Sequence, residues 1–341
     1  MEQTAFGNTG ISVGRTGFGC IPIQRVSYDE STALLRHAYK NGITLYDTAN
    51  AYTTSEERIG IALGAVRDKI ILCTKSFPLS PEKVIENLEN SLRMLKTDYI
   101  DVFQIHNPSF VPRPGGEDGL YDCMLKAKEQ GKIKHIGITY HSRDLAREAV
   151  LSGLYEVLQF PFSYLSSEEE LALIGLCREQ GMGVLAMKGL CGGMLTNAKA
   201  AFAFLRQYDN VVPIWGIQKM SELDEFLAYE KAPPVLDGGL LREMEADKAA
   251  LSGSFCRACG YCLPCPADIP INFAARMTFL LERMPREDFL GAGWQEKMRR
   301  ISGCANCGLC KSKCPYKLDA PELLKQQQAA YFEILKAEGL S

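Results

Sequence analysis

No apolar run in this 341-residue chain approaches the roughly 18–20 residues that cross a bilayer, so no membrane span is expected. Its opening, MEQTAFGNTG, has no basic stretch leading into an apolar one. A secretory leader is therefore not expected, and the expected setting is the cytoplasm. Neither sign of charge dominates, with 38 Lys and Arg against 41 Asp and Glu and a net charge of −3. That balance gives no reason to expect nucleic acid or an acidic membrane surface as a partner. There is no low-complexity tract, no repeat beyond two cysteine runs, and no evident flavin-binding motif. The glycine-rich turn G-x-G-x-x-G is missing after the first apolar run, which reads GFGCIPIQ. Its absence weighs against a doubly wound dinucleotide-binding sheet.

Over the first 230 residues, short apolar runs alternate with stretches of helical period. TGFGCI, ITLYDT, KIILCTK, YIDVFQIH, IKHIGIT, YEVLQF, MGVLAM and VVPIWG read as eight strands. SPEKVIENLENSLRML and SSEEELALIGLCREQ are examples of the amphipathic segments between them. SELDEFLAYE supplies a last helix after the eighth strand. Eight β–α units in about 240 residues predict a (β/α)₈ TIM barrel with parallel strands. AFGNTGISV reads as a hairpin ahead of the barrel, placed to plug its bottom. The Pro/Gly-rich EKAPPVLDGG is the linker candidate. Two domains follow from this: residues 1–235 as the barrel, and residues 236–341 as a small, mainly α-helical domain. NPSFVPRPGGEDG follows strand four and is expected at the catalytic mouth, where it either contacts substrate or merely connects.

The 13 cysteines divide sharply. Cys20, Cys73, Cys123, Cys177 and Cys191 stand singly among apolar residues and read mostly as small buried hydrophobes. The other eight form two cassettes, CRACGYCLPCP and CANCGLCKSKCP. In a reducing compartment they are not a disulfide framework. The second, with Cys304, Cys307, Cys310 and Cys314, has the spacing C-x₂-C-x₂-C-x₃-C-P of bacterial [4Fe–4S] ferredoxins. Zinc is the rival, although structural zinc favours separated C-x₂-C pairs. The first cassette offers Cys256, Cys259 and Cys262, then Cys265 after two residues in place of three. If ligands cross over as in ferredoxins, one cluster takes Cys256, Cys259, Cys262 and Cys314. The other then takes Cys304, Cys307, Cys310 and Cys265. Residues 251–341 hold 12 Lys and Arg against 9 Asp and Glu, and Arg257, Lys311 and Lys313 adjoin ligand positions. Either this offsets anionic clusters or it is ordinary surface charge.

Barrel enzymes place their chemistry at the C-terminal ends of strands. Asp47 ends strand two, Lys75 ends strand three and His106 ends strand four; Tyr52 lies five residues past Asp47. An isolated tyrosine is a poor acid at neutral pH, and a nearby ammonium favours its phenolate. A carboxylate would keep that lysine charged, and a histidine would orient a carbonyl oxygen. The set suits delivery of a proton to a carbonyl that receives hydride.

LYDTANAYTTSEERIG, CTK and QIHN resemble the motifs of the aldo-keto reductases, over roughly residues 1–230. That resemblance implies a (β/α)₈ barrel reducing aldehydes and ketones with NADP or NAD and without a catalytic metal. It implies Tyr52 as general acid, Lys75 lowering its pKa, Asp47 pairing with Lys75, and His106 orienting the carbonyl. It places Thr139, Tyr140 and Gln159 at the nicotinamide carboxamide, Lys188 in the cofactor loop after strand seven, and Gln218 and Lys219 in the adenosine-phosphate segment. His141 is a further candidate for the mouth. Glu222 stands in that last segment where basic residues are common, which argues against a strong NADP preference.

Barrel and cassettes together resemble a subgroup of this family with a C-terminal [4Fe–4S] ferredoxin-like domain. The expected function is carbonyl reduction at the barrel mouth, with two [4Fe–4S] clusters for electron transfer or redox sensing. A small-molecule carbonyl is the expected substrate, and a ferredoxin-like protein or a flavoprotein the expected redox partner. Two other readings stay open: an electron-transfer subunit whose barrel is a docking scaffold, and a regulatory or structural protein stapled by its clusters.

Overall fold

The computed structural model describes residues 1–251, 255–258, 260, 262–283, 286–314 and 318–340. The chain separates into two compact units. One holds Met1–Leu190 and Asn197–Asp237; the other holds Cys191–Thr196 and Gly238–Ser341.

The first unit begins with an antiparallel hairpin, β1 (Gln3–Ala5) and β2 (Ser12–Gly14). Eight parallel strands then close into a barrel. They are β3 (Gly17–Gly19), β4 (Leu45–Asp47), β5 (Ile71–Ser76), β6 (Ile100–His106), β7 (Ile133–Thr139), β8 (Val157–Pro161), β9 (Gly183–Met187) and β10 (Val211–Gly216). Each pairs with its neighbour in sequence, and β10 closes onto β3 through Ile214–Gly17 and Trp215–Phe18. The crossovers carry α1 (Tyr28–Lys40), α2 (Ser55–Leu63), α3 (Pro81–Leu95), α4 (Leu120–Glu129), α5 (Arg143–Ser152), α6 (Glu168–Glu179) and α7 (Ala198–Leu205), with α8 (Met220–Lys231) after the last strand. All eight apolar runs read from the sequence are barrel strands, and the fold is the expected TIM barrel.

Local sequence sets the helix ends. Ser27 accepts from the Glu30 N–H while the Glu30 carboxylate takes the Ser27 N–H, a capping box that starts α1. Ser167 and Glu170 repeat it at α6. Ser80 caps α3, Pro81 occupies its first turn, and Lys96 ends it in a left-handed conformation at φ 55°. Along α3, Val84, Leu88, Leu92 and Leu95 are buried, the stripe a 3.6-residue period requires.

The strand pleat sorts the barrel interior. Leu45, Cys73, Val102, Val157, Leu185 and Val212 form one apolar layer, against which Phe6 and Val13 of the hairpin pack. The hairpin therefore fills the barrel end opposite the mouth. Gly7 makes that approach possible: its φ is +56°, and a Cβ there would lie 2.3 Å from the Gly183 backbone nitrogen. Two residues further along their strands, on the same face, stand Asp47, Lys75, Gln104 and Gln159. The polar layer thus sits one pleat above the apolar one, toward the C-terminal ends of the strands.

The second unit contains α9 (Gly238–Leu251), α10 (Ile271–Ala274), α11 (Met277–Arg283), α12 (Glu287–Leu290), α13 (Ala292–Arg299), α14 (Leu309–Ser312) and α15 (Ala320–Ala337). Its core gathers Ile271, Met277, Leu281, Met298, Leu324 and Leu335, with Cys256, Cys262, Cys265 and Cys304 packed against it. Tyr331 is buried there and donates its hydroxyl to the Phe289 carbonyl at 2.7 Å. Among the described residues, no helix is long and apolar enough to cross a membrane.

Candidate functional site

Asp47 and Lys75 form a buried ion pair within the polar layer, their side chains 4% and 2% exposed. Lys75 Nζ donates to Asp47 Oδ2 at 2.7 Å, to Oδ1 at 2.9 Å, and to the Thr48 carbonyl at 2.6 Å. Gln104 Nε2 and Gln159 Nε2 donate to the same carboxylate at 3.3 and 3.1 Å. Burial works against charge on Lys75, but Asp47 and Tyr52 outweigh it and hold the ammonium above its ordinary pKa. Burial pushes Asp47 up, with Lys75 opposing. The arrangement keeps a cation fixed inside the barrel without exposing it to water.

Lys75 Nζ lies 5.4 Å from the centroid of the Tyr52 ring. Burial raises the Tyr52 phenol above its usual value, Lys75 pulls it down, and Asp47 and Cys20 push it up. Lys75 therefore acts in the expected direction, yet the balance leaves Tyr52 protonated through the neutral range. The ring of His106 stands edge-on to Tyr52, centroids 6.3 Å apart, and Phe77 stacks on its face at 4.6 Å. Burial, helped by Lys75, lowers the His106 imidazole to about 3, so it is neutral at working pH. Its Nδ1 is buried without a hydrogen-bond partner. The Nε2–H tautomer leaves only an acceptor unsatisfied there and keeps a donor for a ligand. The structure thus brings Asp47, Tyr52, Lys75 and His106 together.

The nicotinamide candidates are placed differently from one another. Thr139 ends β7, and its Oγ1 accepts from the Asn107 N–H at 2.9 Å. Gln159 anchors Asp47 through Nε2, while its buried Oε1 has no partner. Tyr140 is fully buried, and its hydroxyl donates to the Phe110 carbonyl at 2.6 Å. Lys188 follows β9 in a left-handed conformation at φ 60°. Burial, then Lys188, then His106 drive the His141 imidazole well below its ordinary pKa. Beyond β10, the Glu222 carboxylate accepts from the Gln218 and Lys219 backbone N–H groups at 2.9 and 3.1 Å. The free amides at the start of α8 are therefore already held by an acid of the same chain.

Some contributors lie within a motif, QIHN, in which His106 alone was a candidate. Gln104 shares a strand face with His106, a period-two signal that could have found it. Gly137 on β7 gives it room, since a Cβ there would lie 2.8 Å from Gln104 Cγ. Asn107, at φ 55°, accepts from the His141 N–H through Oδ1 at 3.1 Å. The 107–119 loop is further pinned by the Tyr155 hydroxyl on the Pro112 carbonyl at 2.6 Å. Of the five scattered cysteines, Cys20, Cys73, Cys123 and Cys177 are buried and Cys191 is partly exposed.

In the second unit the cassettes line two cavities. One is bordered by Cys256, Cys262, Cys310 and Cys314. The other is bordered by Cys262, Cys265, Cys304, Cys307 and Cys310. Cys259 lies outside the described residues. Among the described residues, no three Cys, His, Asp or Glu side chains converge on a single-ion site. The thiols ring open spaces instead, which fits a polynuclear cluster held at its corners.

Residues 11–203 match the model of the aldo/keto reductase family, and residues 255–319 match that of a 4Fe-4S dicluster domain. L-galactose dehydrogenase of Arabidopsis thaliana is 30% identical over 215 residues, 58% of this chain and 67% of that protein. Aldo-keto reductase YhdN of Bacillus subtilis (strain 168) is 32% identical over 216 residues, 58% of this chain and 64% of that protein. This chain therefore spans about two thirds of the length of both relatives. The holo form of aldo-keto reductase AKR11C1 from Bacillus halodurans shares the fold, with TM-score 0.63 at 20% identity over 72% of this chain and 96% of that one. The chain belongs to the aldo/keto reductase family of oxidoreductases and carries, after its barrel, a 4Fe-4S dicluster domain.

Proposed function

We propose that the barrel reduces the carbonyl group of a small molecule, with Tyr52 as proton donor, and that the second domain holds two [4Fe–4S] clusters. The observation that carries the first half is the buried Lys75–Asp47 pair beside the Tyr52 ring. A nicotinamide, when bound, would supply hydride, two electrons, to the carbonyl carbon. The oxygen then needs one proton, and Tyr52 gives it. The phenolate left behind is stabilised by Lys75, which Asp47 keeps charged and Gln104 and Gln159 keep in place. Neutral His106 donates a hydrogen bond to the carbonyl oxygen, and Phe77 fixes its ring plane. The product is the alcohol, and the proton is restored from solvent.

The residues fit the nicotinamide end of the cofactor better than the phosphate end. The orphaned Gln159 Oε1 is an acceptor suited to a carboxamide N–H, with Thr139 and Lys188 as further holders. Glu222 sits on the backbone donors at α8, where the 2′-phosphate of NADP would meet a carboxylate. We therefore assign NADH as the better donor. For the clusters we keep the crossed ligand sets, Cys256, Cys259, Cys262 and Cys314 for one and Cys265, Cys304, Cys307 and Cys310 for the other; Cys256 and Cys314 border only the first cavity, Cys265, Cys304 and Cys307 only the second, and Cys262 and Cys310 border both. When bound, the clusters would exchange electrons singly with a one-electron carrier, a ferredoxin-like protein or a flavoprotein.

The test is an anaerobic titration of reconstituted protein with NADH and NADPH, with and without aldehydes and ketones, following cluster absorbance, EPR and alcohol formation. Alcohol formation that depends on NADH and is lost in Tyr52→Phe supports the reading. Absence of nicotinamide binding overturns it.

A further inference from the structure

We propose that the two clusters are electrically unequal: the one in the Cys256 cavity has the higher reduction potential and holds the first electron, and Arg276 is the residue that makes it so. The inference rests on the two-cluster reading above.

In the crossed sets each cluster would take four cysteine thiolates, so their immediate ligand chemistry is alike. Their surroundings differ. Arg257 borders the first cavity, as does Ala275, and Arg276 follows Ala275 at the turn between α10 and α11. Burial lowers the Arg276 pKa, with Cys256 opposing, and its Nε is buried without a hydrogen-bond partner. Its guanidinium is seated against bare backbone: a Cβ on Gly192, where φ is +66°, would lie 3.3 Å from Nη2. Arginine stays charged at any working pH. Backbone N–H bonds to sulfur occur in both sets, from Ala258 to Cys256 at 3.4 Å and from the Lys311 backbone to Cys310, so the cation is what separates them.

No charged side chain borders the second cavity among the described residues. Lys311, beside Cys310, is paired with Asp319 at 2.9 Å, and that pair adds no net charge. Cys307 and Leu309 are exposed on this side, which opens the second cavity to an external carrier. Taking up one electron converts [4Fe–4S]²⁺ to [4Fe–4S]¹⁺, so the reduced cluster is the more negative state. A partly buried cation stabilises that state and raises the potential. Water at Cys307 acts in the same sense on the second cluster, but with the screening of bulk solvent. The electron from the carrier thus enters on the Cys307 side and settles on the Cys256 side.

The experiment is an iron assay and a mediated dithionite titration of the reconstituted full chain, read by EPR. The wild type should hold about eight irons. It should then reduce in two one-electron steps and show a single cluster signal at half reduction. Arg276→Gln should lower the upper step and leave the lower one in place, and Arg276→Lys should restore it. If Arg276→Gln does not assemble, Arg257→Gln serves, with the same step moving in the same direction. A half-reduced wild type with both signals in equal amount overturns the proposal. So does a variant that moves neither step, the lower step, or both alike. About four irons per chain overturns the two-cluster reading itself, before any potential is measured.

Discussion

Replacing Lys75 with methionine removes one half of a pair whose side chains are 2% and 4% exposed. The three hydrogen bonds from Nζ disappear, and Asp47 keeps only its contacts to Gln104 and Gln159, at 3.3 and 3.1 Å. Leaving a buried charge without its partner costs about 3–5 kcal/mol, a large share of a domain stability of about 5–15 kcal/mol. The cost depends on pH with a definite sign. Burial already pushes the Asp47 carboxyl up, and losing Lys75 pushes it further. A carboxyl whose folded pKa lies above its unfolded value destabilises the fold when ionised. The deficit is therefore full at pH 7 and shrinks as pH falls through the folded pKa toward about 4. Asp47→Asn with Lys75→Met removes both charges and should return to within about 2 kcal/mol of the parent. Urea unfolding at pH 7 and pH 4.5 would be followed by Trp215 fluorescence, in a Trp294→Phe background so that the barrel alone reports. A single mutant as stable as its parent at pH 7 would refute the reasoning. So would a double mutant no better than the single.

Tyr52→Phe should lower the reduction rate by about 10²–10⁴-fold with nicotinamide binding unchanged, the loss expected of one proton donor. In the wild type the rate should be level across neutral pH and fall only on the alkaline side, because burial holds Tyr52 protonated. His106, lowered to about 3, should give no inflection between pH 5 and 7, and a rate–pH profile checks both. Glu222→Gln should improve NADPH relative to NADH about fivefold, the ~1 kcal/mol of one partly solvated charge, as read from their dissociation constants. Phe6→Ala should destabilise the barrel by about 3–5 kcal/mol in the same urea assay, because a fully buried ring is deleted from the plugged end.

The strands were legible because a parallel strand covered on both faces reads as one continuous apolar run. Each such run here ends where helical periodicity begins. That same continuity hides which residues point inward, so QIHN did not disclose the part Gln104 plays with Asp47. Asp47, Lys75 and His106 were legible as polar residues interrupting apolar strand ends. Their hydrogen-bond partners were not, because side-chain direction depends on rotamers and on the neighbouring strand. Gln159 illustrates this: the sequence offers an amide, and the structure commits its Nε2 to Asp47. Tyr140 likewise spends its hydroxyl on a carbonyl 30 residues away in the chain. Cassette spacing pointed to paired cavities. Arg276, which follows the Ala275 that borders one of them, belongs to no spacing rule.

The central claim is direct hydride delivery at the barrel, completed by Tyr52. It is tested most directly by a single turnover of the holoprotein with a carbonyl substrate and NADH deuterated at both C4 positions, in ordinary water. The account predicts deuterium on the carbinol carbon of the alcohol, and no alcohol from Tyr52→Phe on the same timescale. An alcohol whose carbinol hydrogen comes from water would contradict it.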